Sequence, residues 1–361
     1  MSYYHTKFGV AQKKKKKPIL KYVIWFILLL LIFASASGYF LYQIIYKPNV
    51  WTPDGKGVSI YIPTKSNFDD VKQLLFEKGL IIHRNNFIWW AEKKKYPGLI
   101  KPGHYVIKNN ISNDNLIGLL RSGNQTPVNV IFNNVRDIYQ LAGIVSKQIE
   151  ADSTSIANEL TSTSTLNSFD LTPETISTIF IPNTYEFYWN TNADGFVQRM
   201  HEEYLNFWNV DRTNKAKKLN MTINEVVTLA SIVEKESNKA TEKPMIAGVY
   251  INRLKNNWRL QADPTVIYAL NDYEIKRVLK VHTNFDSPYN TYMYGGLPPG
   301  PICIPSISSI DAVLNNTNDG YFYFCAKDDM SGYHVFARSN AQHNRNARKY
   351  QKALNKMKIY K

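Results

Sequence analysis

Two glutamates two residues apart close the segment Thr222-Ile-Asn-Glu-Val-Val-Thr-Leu-Ala-Ser-Ile-Val-Glu-Lys-Glu-Ser237, and one of them falls on a stripe that should be buried. At about 100° per residue, Ile223, Val226, Val227, Ala230 and Glu234 share one helix face, while Glu236 turns to the other side. A carboxyl group buried without a partner holds its proton to higher pH, as a general acid near neutrality must. The spacing therefore singles out Glu234 as a candidate proton donor. Thr222 and Glu225 form an S/T-x-x-E capping box that fixes the start of the helix and its register. The competing role for Glu234 is a structural ion pair, because Leu229, Ile232 and Val233 are apolar too and the helix can be buried nearly all round.

The elements that must carry this helix belong to a chain of 361 residues with 44% hydrophobic content, enough for two globular domains or one large one with appendages. The formal charge is +15, of which the first 21 residues supply seven through Lys7, Lys13 to Lys17 and Lys21, with no acid among them; the remainder carries +8. Residues 22–46 then run without a charge, longer than the roughly 20 apolar residues a helix needs to cross a bilayer. Tyr22 and Trp25 at one end and Tyr42 and Tyr46 at the other suit the two interfaces. Ala34-Ser-Ala36 resembles a cleavage site, but the apolar run continues past it, which favours an uncleaved anchor. The lysines predict a short cytoplasmic tail, with everything after Lys47 on the far side of the cell (inner) membrane. Orientation and attraction to anionic lipid account for the basic charge, so nucleic acid is not an expected partner.

Cys303 and Cys325 lie in the exported part, where a disulfide is permitted, but two cysteines make no disulfide scaffold and two buried thiols are the simpler expectation. Metal spacing, phosphate-binding glycine loops and the G-x-S-x-G elbow are absent, so no metal or organic cofactor is expected. The pattern predicts an α+β protein: a basic tail at 1–21, a single transmembrane helix at 22–46, a linker at 47–56, a small α+β module at 57–125 and a larger mixed α+β domain at 126–361. In the module, Val58 to Ile62 and His104 to Lys108 read as strands, Asn67 or Ser66 caps one helix, and Ser112 caps a last helix that Gly123 stops. Further on, Asp137 to Ile149 reads as a helix, the aromatic run Phe180 to Trp189 as a groove lining, and Asp263-Pro264 as an N-cap followed by proline at the first helical position.

Six motifs in order carry a resemblance. They are Leu229-Ala-Ser-Ile-Val-Glu-Lys-Glu236, Val249-Tyr-Ile-Asn-Arg-Leu254, Arg259-Leu-Gln-Ala-Asp-Pro-Thr-Val-Ile-Tyr268, Tyr289-Asn-Thr-Tyr292, Gly296-Leu-Pro-Pro-Gly-Pro-Ile302, and Tyr323-Phe324 with His334-Val-Phe336. Together they resemble the endolytic murein transglycosylase family (MltG, or YceG-like), and the small module resembles the LysM-like domain such proteins carry. Asn183 stands where that family usually has aspartate, and Cys303-Ile-Pro305 replaces a more polar tripeptide.

The resemblance implies cleavage of the bond between N-acetylmuramic acid and N-acetylglucosamine inside a peptidoglycan strand, leaving a 1,6-anhydromuramoyl end. It places the catalytic carboxyl on Glu234. Ordinary glycosidases need two carboxyl groups, but here the muramoyl C6 hydroxyl is tethered to the reacting sugar and attack is intramolecular. Gln261, Asp263, Asn290 and Tyr292 are the candidates for holding sugars, with Asp263 as helix cap and Asn290 as turn former the alternatives. Expected partners are nascent glycan strands, the bilayer and membrane-bound peptidoglycan synthases. The competing functions are a hydrolytic muramidase that uses Glu234 with Asp263 or Glu236, and a non-catalytic peptidoglycan-binding scaffold.

Overall fold

The computed structural model describes residues 1, 9, 19–275 and 277–357; the lysine run Lys13 to Lys17, on which the expectation of a cytoplasmic tail rests, lies outside them. The chain divides into two compact units, 1–125 and 126–361. The first begins with helix α1 (Ile19–Tyr46), whose 28 residues rise about 42 Å at 1.5 Å each, more than the roughly 30 Å hydrocarbon core. Its most apolar 18-residue stretch has a mean hydropathy of 2.4 and its apolar side chains face outward, the reverse of a helix buried in a soluble core. The last turn of α1 is tied to a later helix of the same unit: the Asn113 amide donates to the Ile44 carbonyl (2.7 Å) and accepts from Asn49 (2.8 Å).

The rest of this unit is a β-α-α-β-α module of β1 (Val58–Ile62), α2 (Phe68–Glu77), α3 (Arg84–Lys93), β2 (Gly103–Ile107) and α4 (Asn113–Ser122). The two strands pair antiparallel with Ile60 opposite Tyr105. Alternation along β1 sends Ile60 and Ile62 into a core with Leu75, Phe87, Tyr105 and Leu116. Asn67 caps α2 in a reciprocal box with Asp70, and Ser112 caps α4, which ends at Gly123 with φ +72°.

The second unit contains β3 (Val128–Ile131), α5 (Ile138–Val145), α6 (Ser153–Thr161), α7 (Thr163–Ser168), β4 (Thr184–Phe187), α8 (Ala193–Phe207), α9 (Val210–Lys218), α10 (Ile223–Glu236), α11 (Lys243–Lys255), α12 (Asp263–Leu270), α13 (Lys280–Thr283), α14 (Ile307–Leu314), β5 (Tyr323–Ala326), β6 (His334–Ala337) and α15 (Asn340–Lys356). Its strands form two antiparallel pairs, β3 with β4 and β5 with β6. One core gathers around β3, β4, α5, α6 and α8, and another around α10, α11 and α14. Helix α5 stops earlier than its apolar pattern suggests, because the Gln148 side chain turns back to accept from the N–H of Ile131 (2.9 Å) and donate to its carbonyl (3.0 Å). The aromatic run at 180–189 divides: Phe180, Tyr185 and Phe187 are buried in the core, while the exposed Tyr188 lines, with Glu186, Phe187 and Arg199, an open cavity of about 400 Å³. Cys303 and Cys325 are both free thiols.

The loop Gly296 to Ile302 shows why one glycine is required. A Cβ on Gly300 would sit 2.0 Å from the carbonyl oxygen of Glu174, a contact that only backbone movement relieves. Gly300→Ala is therefore expected to lower stability by about 1 to 3 kcal/mol through overpacking, read as a drop in the thermal midpoint of several degrees.

Candidate active site

Helix α10 is buried on every side from Val226 to Val233, and its capping box is present, with the Thr222 N–H on Glu225 Oε2 at 2.7 Å and the Glu225 N–H on Thr222 Oγ at 3.2 Å. The register is thus as read from sequence. What the helix does with its last two acids differs from the expectation.

Glu234 is not a lone buried acid. The buried Lys243 ammonium, at the start of α11, donates to its Oε2 at 2.9 Å, and the hydroxyls of Ser306 and Ser309 donate to the same oxygen at 2.6 and 2.5 Å. Ser306 is the N-cap residue of α14 and its own side chain does not cap, so Glu234 supplies the negative charge at that helix start from a distant part of the chain. Burial by itself pushes the Glu234 carboxyl up, but the two serines and the lysine outweigh it and hold the group below its ordinary value. The expectation of a protonated Glu234 gives way to a paired carboxylate, the structural alternative, with lysine in place of arginine.

Glu236 has the opposite surroundings. As the last residue of α10 it stands among carbonyls at the negative end of the helix dipole. Burial raises its pKa to about 7; the Asp263 charge adds to this, while the Tyr250 hydroxyl and the Arg253 cation oppose it. Tyr250 donates to Glu236 Oε1 at 2.5 Å. Arg253 is buried and committed to carbonyls, those of Leu260 (2.5 Å) and Phe322 (2.8 Å). A carboxyl group poised near neutrality can donate a proton and then take one back.

Around it, Asp263 and Tyr292 are joined, the phenol donating to Asp263 Oδ1 at 2.5 Å. Asp263 is the first residue of α12 and makes no cap, since Ala262 holds the N-cap position; its carboxylate turns to Tyr292 instead. Gln261 is exposed and left-handed (φ +49°), a backbone strain held by its N–H on the Thr291 carbonyl (3.1 Å) and by the Ala262 N–H on Thr291 Oγ (3.0 Å). Asn290 is fully buried: its amide donates to the carbonyls of Thr283 and Phe285 and its oxygen accepts from the Tyr292 N–H. It shapes the turn and has no group left for a sugar. Of the expected set, Asp263 and Tyr292 therefore share the neighbourhood of Glu236, Gln261 precedes Asp263 by two residues on the strained segment, and Asn290 supports Tyr292 through its N–H.

Sequence reasoning missed Lys243, Tyr250, Ser306 and Ser309. The turn between α10 and α11 is braced a second time, by the buried Glu242, which accepts from the His334 N–H (2.6 Å), His334 Nδ1 (3.0 Å) and Ser237 Oγ (3.4 Å). Glu236 is thus held on a turn pinned from both sides.

The model of the YceG-like family matches residues 60–349. The endolytic murein transglycosylase of Streptococcus pneumoniae strain R6 is 28% identical over 360 residues, covering 90% of this chain and 64% of that protein, so the chain spans under two thirds of that relative's length. The protein of the same description from Bacillus subtilis strain 168 is 27% identical over 309 residues, covering 81% of this chain and 84% of that one. Among solved structures, a putative yceG-like protein from Listeria monocytogenes shares the fold, with a TM-score of 0.53 at 24% identity over 80% of this chain and 98% of its own.

Glu234→Gln leaves Lys243 buried without a counter-charge and is expected to destabilise the fold by about 3 to 5 kcal/mol. Adding Lys243→Met should recover much of that loss in chemical denaturation. The direction with pH follows from the lowered Glu234 pKa: its contribution is full above the ordinary carboxylate range and is lost as the pH falls through its depressed value.

Proposed function

The chain belongs to the YceG-like family, and from that premise and the site's geometry we propose that it is a membrane-anchored endolytic lytic transglycosylase of peptidoglycan whose acid and base is Glu236. It cleaves the bond between N-acetylmuramic acid and N-acetylglucosamine within nascent strands, leaves 1,6-anhydromuramoyl ends and so terminates glycan elongation. The observation that carries this reading is the contrast between two neighbouring carboxyls: Glu234 is held ionised by Lys243 and two serines, while Glu236, bonded by the Tyr250 hydroxyl and within reach of the exposed Asp263, is raised to about 7. Environments that push two acids apart assign their roles.

In the proposed reaction, protonated Glu236 gives its proton to the departing glycosidic oxygen, which keeps the electron pair of the broken C1–O bond. The C6 hydroxyl of the same sugar then bonds to C1, and its proton returns to the Glu236 carboxylate. The tether between C6 and C1 removes the need for a bound water or a second nucleophilic carboxylate. Asp263 and Tyr292 hold each other and face the forming charge. A hydrolytic muramidase with Asp263 as second carboxylate is the competing reading, favoured by the reach of the Asp263 charge to Glu236.

The apolar α1 is the support for anchoring, and the lysine-rich start for a cytoplasmic N-terminus with the larger unit outside. The module at 57–125 is LysM-like in this reading and grips glycan; the open cavity of about 480 Å³ lined by Tyr61, Pro63, Asp70, Leu74 and Glu77 is the supporting feature. An enzyme tethered beside the bilayer meets strands as they emerge, in reach of the membrane-bound synthases that make them.

Glu236→Gln is expected to reduce cleavage of uncrosslinked glycan by about 10² to 10⁴-fold with the fold intact, whereas Glu234→Gln with Lys243→Met should keep measurable activity. An active Glu236→Gln returns the role to another carboxyl. Mass spectrometry of the products should find anhydro ends; reducing ends would make the protein a hydrolase. Because the acid must start protonated, kcat/KM should fall about tenfold per unit as pH rises beyond about 7, the value to which Glu236 is pushed.

A further inference from the structure

Helix α11 meets both acids of α10 with one face. Lys243 and Tyr250 are seven residues apart, two turns of helix, so their side chains project in nearly the same direction about 10 Å from each other along the axis. Lys243 takes Glu234 and Tyr250 takes Glu236. Tyr250 is 1% exposed, its ring sits edge-on to Phe324 with centroids 5.9 Å apart, and Glu236 Oε1 accepts its hydroxyl hydrogen. A phenol placed this deep in an apolar core needs a partner, and a phenylalanine would fill the same space without one.

We propose that Tyr250 is a positioning residue for the reaction, which holds Glu236 Oε1 so that the proton rides on Oε2 toward the sugar linkage, and stabilises the carboxylate left when that proton has gone. The proposal rests on the assignment of Glu236 as the acid. During the cycle the proton leaves Oε2 for the glycosidic oxygen and a proton from the C6 hydroxyl returns to Oε2; the Tyr250 O–H bond stays intact throughout and only its hydrogen bond strengthens while the carboxylate is charged.

The groups that face Glu236 come from three parts of the chain. Tyr250 and Arg253 lie on α11, Asp263 begins α12, and Tyr292 follows the turn at Asn290. Arg253 and Tyr250 favour the ionised acid, and Asp263 and burial oppose it. Arg253 donates to the carbonyls of Leu260 and Phe322, and Tyr250 is the neighbour that bonds the carboxyl directly.

The test is Tyr250→Phe in the full chain solubilised in detergent, read by cleavage of uncrosslinked glycan across pH and, independently of activity, by carbon NMR titration of the Glu236 side-chain carboxyl. Loss of a hydrogen bond to the charged form should move the basic limb of kcat, and the titration, upward by about one pH unit. The plateau kcat should fall about tenfold with KM and the thermal midpoint little changed. Superposition of both the pH profile and the titration on the wild-type curves, with Glu236→Gln inactive, would show that Tyr250 only fills space and overturns the proposal. Glu236→Gln cleaving at the wild-type rate overturns it differently, by removing the acid that Tyr250 is said to hold.

Discussion

The end of α10 depends on the ion pair between Glu234 and Lys243, set beside the start of α14. Without it, a carboxylate, an ammonium and the unpaired amides of a helix N-terminus would each be left in a poorly solvated place. With it, three helices meet at one oxygen, Glu234 Oε2, which accepts from α11 and from two hydroxyls at the first turn of α14. Glu236 is two residues further on, too near to move independently. The charge pair therefore fixes in space a second carboxyl whose own surroundings do not favour charge.

The other motifs read as the walls of that arrangement. Ser231, on the buried helix, accepts from the N–H of Ile302, and its carbonyl accepts from Cys303, which threads the proline-rich loop across α10. Thr265 and Thr291 share a hydrogen bond of 2.9 Å, joining the segment that carries Asp263 to the one that carries Tyr292. His334 on β6 closes on Glu242. Residue types that look like a substrate-binding inventory in the sequence are, in several places, the joints between elements. Gln261 and Asp263 remain exposed and Tyr292 partly covered, and these are the groups the proposed function turns toward a glycan.

Much of this was legible in the sequence. The capping boxes, the strand alternation at Val58 to Ile62, the glycine stop at Gly123 and the apolar span were all readable because each depends on neighbours within a few residues. The contrast between the surroundings of Glu234 and Glu236 was not. Periodicity locates a buried face by contrast with an exposed one, and α10 is buried all round from Val226 to Val233, so the contrast vanishes. The deciding partners lie elsewhere in the chain: Lys243 is nine positions from Glu234, and Ser306 and Ser309 are more than seventy. The same holds for Asp263, whose Asp-Pro signature marks the helix start correctly while its carboxylate goes to Tyr292, 29 residues on. Asn290 was readable as a turn former, and its burial leaves that role alone.

A single carboxyl that serves first as acid and then as base must satisfy two opposite demands within one turnover. Burial alone answers only the first, since it keeps the proton on but makes the resulting carboxylate costly. Strong pairing answers only the second: Glu234, clamped by Lys243 and two serines, is held below its ordinary value and favours the anion. Glu236 stands between these limits because burial and Asp263 are offset by one hydrogen bond and one fixed cation. On the proposed mechanism, that balance makes a second catalytic carboxylate unnecessary, because the same residue is stable enough in each protonation state to wait for the intramolecular hydroxyl to arrive. It also explains why the two glutamates are not interchangeable despite lying two residues apart: less than one turn of backbone separates the carboxyl that meets a helix beginning from the one that stands at a helix end, and the sign of the local field changes between them.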